Sequence, residues 1–148
     1  MVDYIDPSAP CVGIDLGTTF SCVGLWTQNQ VQIIPDENGA LILPSMVSFS
    51  ADSVERLVGM AAFNKAAGNA KNTVFDAKRL IGRKFSEKEV QEDIKLYPFE
   101  VVADSEDRPL IEVTFNNEKK KFRPEEISAM ILTRIKKNVE KKIEKDLN

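Results

Sequence analysis

The stretch from Cys11 to Trp26, CVGIDLGTTFSCVGLW, decides the fold, because two apolar, β-branched runs flank a Gly-Thr-Thr turn. This pattern predicts a β-hairpin. Asp15 lies inside the first run, between Ile14 and Leu16, where a strand rarely keeps a carboxylate. A buried carboxylate costs several kcal/mol unless a cation or several donors compensate its charge. The hairpin is therefore the first place to look for a ligand.

The turn after Asp15 has the composition of a phosphate site. Gly17 allows the backbone to approach a ligand without interference from a Cβ atom. The amides of Gly17, Thr18 and Thr19 can form an anion-binding concavity, with the two hydroxyls as further donors. An adjacent carboxylate that holds a metal, or the waters of that metal, favours a nucleotide with a divalent cation. The spacing alone is equally compatible with an ordinary turn and a solvent-exposed Asp15, since Asp, Gly and Thr are common turn residues.

Composition and charge exclude several classes of function. The chain of 148 residues fits one globular domain, with 43% hydrophobic and 29% charged residues. Its net charge of -3 gives no overall electrostatic footprint for nucleic acid. The sequence has no histidine, so the usual general base and a histidine-containing zinc site are both excluded. The two cysteines, Cys11 and Cys22, are predicted to be small reduced core residues.

The N-terminal residues and the hydropathy pattern lead to a prediction of location. Residues 1–10 are acidic, contain two prolines and lack an apolar core, so they are predicted to be an N-terminal extension and not a signal peptide. No apolar run approaches the ~20 residues of a membrane span. A cytoplasmic location follows, with no nucleic-acid or membrane partner.

The remainder of the chain predicts further strands and helices. Short runs of apolar residues predict strands at 31–35, 46–50, 56–59, 99–103, 110–115 and 119–122. The strand at 46–50 alternates like an edge strand, and the last three strands are predicted to form a meander. Helices are expected at 60–67, at 86–94 with Ser86 as N-cap, and from Pro124 onward. In the last helix an apolar residue recurs every fourth position, from Ile127 to Leu147.

A second informative stretch is NTVFDAKRLIGRKF, residues 72–85. Without context, Lys78 is best interpreted as a solvated lysine in a helical turn. Asp76 and Arg79 are predicted to hold the local structure.

Both stretches resemble the seventy-kilodalton heat-shock (DnaK-type) chaperone family. IDLGTT followed by an aromatic residue is similar to the first phosphate-binding loop of the actin-like ATPase superfamily, and NTVFDAKRLIGR is close to a signature of the chaperones. PSMVSF at 44–49 and the Tyr-Pro-Phe at 97–99 also match family patterns. The resemblance implies an α/β fold over 11–148: a partial actin-like (ribonuclease-H-like) ATPase lobe, with a mixed β-sheet, flanking helices and a small meander subdomain.

The resemblance also implies roles for particular residues. Asp15 would hold magnesium through water, and Gly17–Thr19 would cradle phosphate. Lys78 would reach the terminal phosphate and the attacking water, where an ammonium offsets the charge that develops on the transferred group. Phe20 belongs to the nucleotide-binding loop at a position where many members have tyrosine. The implied cofactors are ATP or ADP with Mg²⁺, and K⁺ as a further ion.

The resemblance also implies partners for the family as a whole, whereas less activity is expected of this chain alone. Its partners are nucleotide, unfolded polypeptides, J-domain proteins and nucleotide-exchange factors. The matched residues correspond only to the first part of the nucleotide-binding domain, without the second phosphate loop and the second lobe. Weak nucleotide binding and negligible turnover are therefore expected of the chain alone. The alternative is a non-catalytic truncated lobe that acts as an interaction module, suggested by the apolar segment Ala40–Leu43 and an open sheet edge.

Overall fold

The opening hairpin forms as the sequence predicts. In the computed structural model, which describes residues 11–27 and 29–146, β1 (Cys11–Leu16) pairs antiparallel with β2 (Phe20–Thr27). The second half of β2 pairs with β3 (Gln30–Ile33), and its first two residues pair with β4 (Leu43–Pro44). One face of β2 is buried through Val23 and Leu25. The predicted extension at 1–10 lies outside the described residues.

The second sheet corrects the prediction of an edge strand at 46–50. β5 (Val47–Phe49) lies in the middle of this sheet, between β6 (Arg56–Val58) and β7 (Thr73–Val74). All three residues of β5 are buried. The hydroxyl of Ser48 is 2.9 Å from the hydroxyl of Thr73 and accepts a hydrogen bond from the Asn69 amide at 3.0 Å. The polar residue that suggested a solvent-facing side is thus satisfied inside the protein.

The third sheet is the predicted meander. It consists of β8 (Glu100–Ala103), β9 (Pro109–Phe115) and β10 (Glu118–Phe122), with β9 in the centre. The pairings between described strands in all three sheets are antiparallel. Phe49 of β5 contacts two phenylalanines of the meander, so the second and third sheets share one core.

Three α-helices lie in the described part of the chain. They are α1 (Met60–Lys65), which continues into a short 3₁₀ turn, α2 (Lys88–Ile94) and α3 (Pro124–Asp146). The prediction that Ser86 caps α2 is wrong, because Glu87 occupies the N-cap position. The Ser86 hydroxyl instead donates to Oδ2 of Asp107 at 2.6 Å. The Ser86 hydroxyl is thus bonded to a residue 21 positions away and does not cap the helix.

Helix α3 is the common support of the three sheets. Its four-residue repeat buries Ile127, Ile131, Ile135 and Val139, as predicted, while Leu147 lies outside the described residues. The helix contacts β2 in the first sheet, β5 and β6 in the second, and β9 in the third. Among the residues that the structure describes, no helix is both long and apolar enough to cross a membrane.

The turn between β8 and β9 is predicted to lose stability in acid. Oδ1 of Asp104 accepts hydrogen bonds from the backbone amides of Glu106 and Arg108, and Oδ2 accepts one from Nε of Arg108 at 2.7 Å. The bond from the Arg108 amide is the largest cause that lowers the pKa of Asp104 to about 2. Because the pKa is lower in the folded protein, this stabilisation is present above the unfolded pKa of ~3.9 and is lost as pH falls toward 2.

An NMR titration of the Asp104 carboxyl carbon should therefore give a midpoint near pH 2. Arg108→Ala should raise that midpoint only in part, since the backbone amide at position 108 still donates. An unaltered midpoint in the variant, or an ordinary aspartate pKa in the parent chain, would contradict the assignment.

Candidate functional site

The loop Gly17–Thr19 connects β1 to β2 in a tight turn. A Cβ atom added at Gly17 would lie 2.2 Å from the backbone oxygen of Phe20, a distance that real Cβ atoms do not reach. Glycine at position 17 is therefore required by the turn itself. This reason differs from the predicted one, which was close approach to a ligand.

Two hydrogen bonds from Ser45 hold the loop in place. Its hydroxyl donates to the carbonyl of Gly17 at 2.9 Å, and its backbone amide donates to the carbonyl of Thr19 at 2.8 Å. The same hydroxyl lies 2.9 Å from that of Ser21, and both serines are buried. These bonds fix both ends of the loop. Sequence reasoning did not identify Ser45 as a positioning residue, since its partner in the loop is 28 positions away.

Lys78 is brought to the same loop. Its Nζ donates to the carbonyl of Leu16 at 2.7 Å, across a separation of 62 positions. A 3₁₀ turn, Ala77–Arg79, carries this lysine, and Asp76 begins the turn in the left-handed conformation with φ 54°. The carboxylate of Asp76 pairs with Nε of Arg79 at 3.3 Å, so these two residues hold the local structure as predicted. The Lys78 side chain is exposed, which leaves its ammonium accessible to a ligand over the loop.

Of the two interpretations that the sequence left open for Asp15, the structure shows the solvent-exposed one. Asp15 is exposed because, among the described strands, β1 pairs with β2 alone. Its carboxylate makes no hydrogen bond or ion pair with another described residue. The described residues contain no group of three or more candidate metal ligands. A cation bound at Asp15 would therefore have this single carboxylate as its ligand from the described residues. That donor set fits Mg²⁺, which keeps several waters and takes phosphate oxygens rather than a full protein cage.

Phe20 and the cysteines complete the surroundings of the loop. The Phe20 side chain is 49% exposed, so an aromatic face is available beside the loop for packing or stacking. Cys11 is exposed and Cys22 is half-buried, which corrects the prediction of core cysteines, and both are free thiols.

The predicted site residues are neighbours, either along the chain or through a hydrogen bond. Asp15, the loop 17–19 and Lys78 lie at the same end of the hairpin, joined by the bond from Lys78 to Leu16. Cavities of about 460 and 420 Å³ lie elsewhere, beside Glu112 and beside Asp52 respectively. Amide donors and an ammonium can bind a phosphate chain, and a nearby carboxylate can hold its hydrated cation.

Comparison with known proteins finds a matching family model and several relatives. The family model described as Hsp70 protein matches residues 11–148. Heat shock cognate 70 kDa protein 3 of Dictyostelium discoideum is 51% identical over 138 residues, which cover 93% of this chain and 22% of that protein. A heat shock 70 kDa protein of Neurospora crassa is 55% identical over 89% of this chain and 20% of its own length.

A ribosome-associated molecular chaperone of Nakaseomyces delphensis is 54% identical over 90% of this chain and 21% of its own length. The chain spans about a fifth of the length of the curated relatives that it matches. The family model covers nearly the whole chain, including the loop, Ser45 and Lys78, and the α/β architecture agrees with it; the chain belongs to the Hsp70 family.

Proposed function

We propose that this chain provides one wall of a Mg²⁺–ATP site in an ATP-driven chaperone. The observation that carries the proposal is the bond from Nζ of Lys78 to the carbonyl of Leu16, which places the ammonium beside the loop. The loop amides and the hydroxyls of Thr18 and Thr19 contact phosphate, and Lys78 leaves the Leu16 carbonyl to reach the terminal phosphate. Asp15 holds the hydrated cation.

The chemistry of each group follows from its charge and exposure. Bound Mg²⁺ supplies positive charge that neutralises phosphate oxygens, and K⁺ is a further ion of the proposed site. The Lys78 ammonium offsets charge on the terminal phosphoryl group, and its exposure lets the side chain move between the carbonyl and the ligand. The hydrogen bonds from Ser45 hold the loop in place, so its amides need little reorganisation.

The activity of a longer relative is likewise a proposal for this chain. ATP hydrolysis that drives the folding of polypeptides, with J-domain proteins and nucleotide-exchange factors as partners, requires an opposing wall for the nucleotide. The 148 residues alone are proposed to bind nucleotide weakly and to turn it over negligibly, because catalysis depends on donors pre-organised around the whole phosphate. A cytoplasmic location is supported by the two free thiols.

Calorimetric titration with ATP and Mg²⁺ tests the proposal. Lys78→Ala should weaken binding about tenfold or more, since a hydrogen bond to a charged group is worth roughly 1.5–3 kcal/mol and 1.4 kcal/mol is tenfold. Asp15→Asn should weaken binding in Mg²⁺ but have little effect in its absence. Lys71→Ala, which removes another exposed lysine, is the matched control and should leave the affinity unchanged.

Equal affinities for the parent chain, Lys78→Ala and Asp15→Asn would refute the proposed roles. Folding of each variant is checked by circular dichroism, so that lost binding is not confused with lost structure.

An interaction module is the second candidate function. Several large apolar side chains are more than half exposed in the first sheet and the segment after it: Trp26, Val31, Leu41 and Ile42. Trp26 and Val31 are paired between β2 and β3, Leu41 and Ile42 are adjacent in sequence, and exposed apolar patches mark association sites in soluble proteins. A chain that shows no heat with nucleotide but self-associates with rising concentration would favour this candidate.

A further inference from the structure

A cavity of about 240 Å³ lies between helix α3, helix α1, strand β6 and the loop after β3. The residues of α3 that line it are Met130, Thr133, Arg134 and Lys137. They are three or four positions apart, so they lie on one face of the helix. Strand β6, which α3 contacts directly, contributes Arg56. All of the lining residues lie between positions 37 and 137, so every wall is built from described elements.

The charged groups of this cavity are mostly cations. Arg56, Arg134 and Lys137 line it, and Glu37 is the one acidic residue among the described residues that do so. Glu37 is already paired with Arg134 and, at 4.0 Å, with Nζ of Lys141. Neither Arg56 nor Lys137 forms an ion pair with another described residue. Cations that share a cavity without a counter-ion repel each other, and an anion between them removes that repulsion.

The guanidinium of Arg134 has a buried donor without a partner. Its Nη2 group donates to Oε1 of Glu37, whereas its Nε–H group is buried and has no acceptor among the described residues. A buried donor without an acceptor is costly, and more so when it is charged, so an acceptor is expected at this position. A water molecule satisfies this one donor but leaves Arg56 and Lys137 without a counter-ion. An anion with several oxygens satisfies both requirements.

We propose that this cavity binds a phosphate group, either as the free ion or as a phosphomonoester. A phosphate near neutral pH carries close to two negative charges and offers at least three acceptor oxygens. These can accept from Nε of Arg134, the guanidinium of Arg56 and the ammonium of Lys137 at the same time. A carboxylate offers two oxygens and one charge, which is too few for three cations. The cavity volume is several times the ~30 Å³ that one water occupies in the liquid, so there is room for the ion.

The proposed site is separate from the proposed nucleotide site. Neither Asp15, the loop 17–19 nor Lys78 lines the cavity. A phosphate bound there would link α3 to β6 of the second sheet, and it would bind the folded chain only. Binding should therefore raise the melting temperature with increasing phosphate concentration. Arg134→Lys keeps a positive charge beside Glu37 but has no Nε–H donor, so it should remain folded by circular dichroism and lose most of this rise.

NMR titration with inorganic phosphate tests the contact itself. The Nε–Hε signal of Arg134 should shift saturably at about pH 7.5, above the second phosphate pKa of ~6, with ionic strength held constant by chloride. Lys137→Gln and Lys136→Gln form a matched pair, because each removes one charge from α3 but Lys136 does not line the cavity. Lys137→Gln should weaken phosphate binding roughly fivefold, the upper range for one exposed charge pair, and Lys136→Gln should leave it nearly unchanged.

Two further arms identify the site and the source of the phosphate. In Lys78→Ala the response of the Arg134 signal to phosphate should persist with the same midpoint, since this variant removes only the ammonium of the proposed nucleotide site. Titration with O-phosphoserine in place of inorganic phosphate distinguishes the two sources. Comparable affinity for both probes supports a phosphomonoester as ligand, whereas binding of inorganic phosphate alone supports the free ion.

The proposal is overturned if the Arg134 signal does not respond to phosphate, or if it moves equally with chloride at the same ionic strength. Equal losses of affinity in Lys137→Gln and Lys136→Gln would also overturn it, because they would reflect the net charge of α3 and not the cavity. Loss of the response in Lys78→Ala would assign the phosphate to the nucleotide site instead.

Discussion

Phe49→Ala should lower the free energy of unfolding by about 3–5 kcal/mol, the typical cost of removing a buried phenylalanine ring. Phe49 is fully buried, stacks on Phe122 at a centroid distance of 4.8 Å and meets Phe115 edge-on at 5.4 Å. Its ring joins the second sheet to the meander, so the cavity left by alanine would border two elements. Urea denaturation followed by circular dichroism measures the loss.

Phe63→Ala is the matched control for Phe49→Ala. Phe63 lies in α1 and its side chain is 56% exposed, so its removal should change the free energy of unfolding by no more than about 0.5 kcal/mol. Losses of similar size in the two variants would show that the Phe49 cluster does not stabilise the fold in the way described.

Gly17→Ala is expected to cost about 1–3 kcal/mol of stability and to distort the candidate phosphate loop. The added methyl group would lie 2.2 Å from the Phe20 carbonyl oxygen, which is backbone and cannot rotate away. Relief requires the turn to open, and that movement would strain the bond from Ser45 to the Gly17 carbonyl. The amide chemical shifts of Thr18 and Thr19 should move together with the loss of stability.

Gly13→Ala provides the comparison within the same hairpin. A Cβ atom at Gly13 meets no atom within 4 Å, and its φ is not in the left-handed region. Alanine there should be neutral or stabilise the protein by up to about 1 kcal/mol, because it reduces the entropy of the unfolded chain. Equal destabilisation at positions 13 and 17, measured at low protein concentration, would contradict the steric argument.

Local pattern was sufficient to predict the elements whose burial repeats regularly. The hairpin at 11–26, the meander and α3 follow from alternation or from the four-residue repeat that begins at Ile127. Prediction failed where a polar side chain found a distant partner. Ser48 appeared to face solvent but bonds to Thr73 and Asn69, and Ser86 appeared to cap a helix but bonds to Asp107.

The candidate site was predictable in its residues but not in its geometry. The loop and Lys78 were identified from two separate motifs, and in the structure Lys78 donates a hydrogen bond to Leu16, the residue directly before the loop. The exposure of Asp15 depends on which strands flank β1, and six residues of local sequence do not contain that information. Ser45 escaped notice for a similar reason, because its role comes from folding 28 positions back onto Gly17.

Helix α3 has a consequence for cooperativity. A small sheet gains stability by burying an apolar face, for example against a helix, and each of the three described sheets contacts this helix. The three sheets are therefore expected to unfold together in one cooperative transition. The 3₁₀ turn that carries Lys78 also contacts α3. A destabilising change in the meander, remote from the phosphate loop, would thus lower the fraction of molecules in which lysine and loop are assembled. Occupancy of the site becomes a property of the whole folded unit.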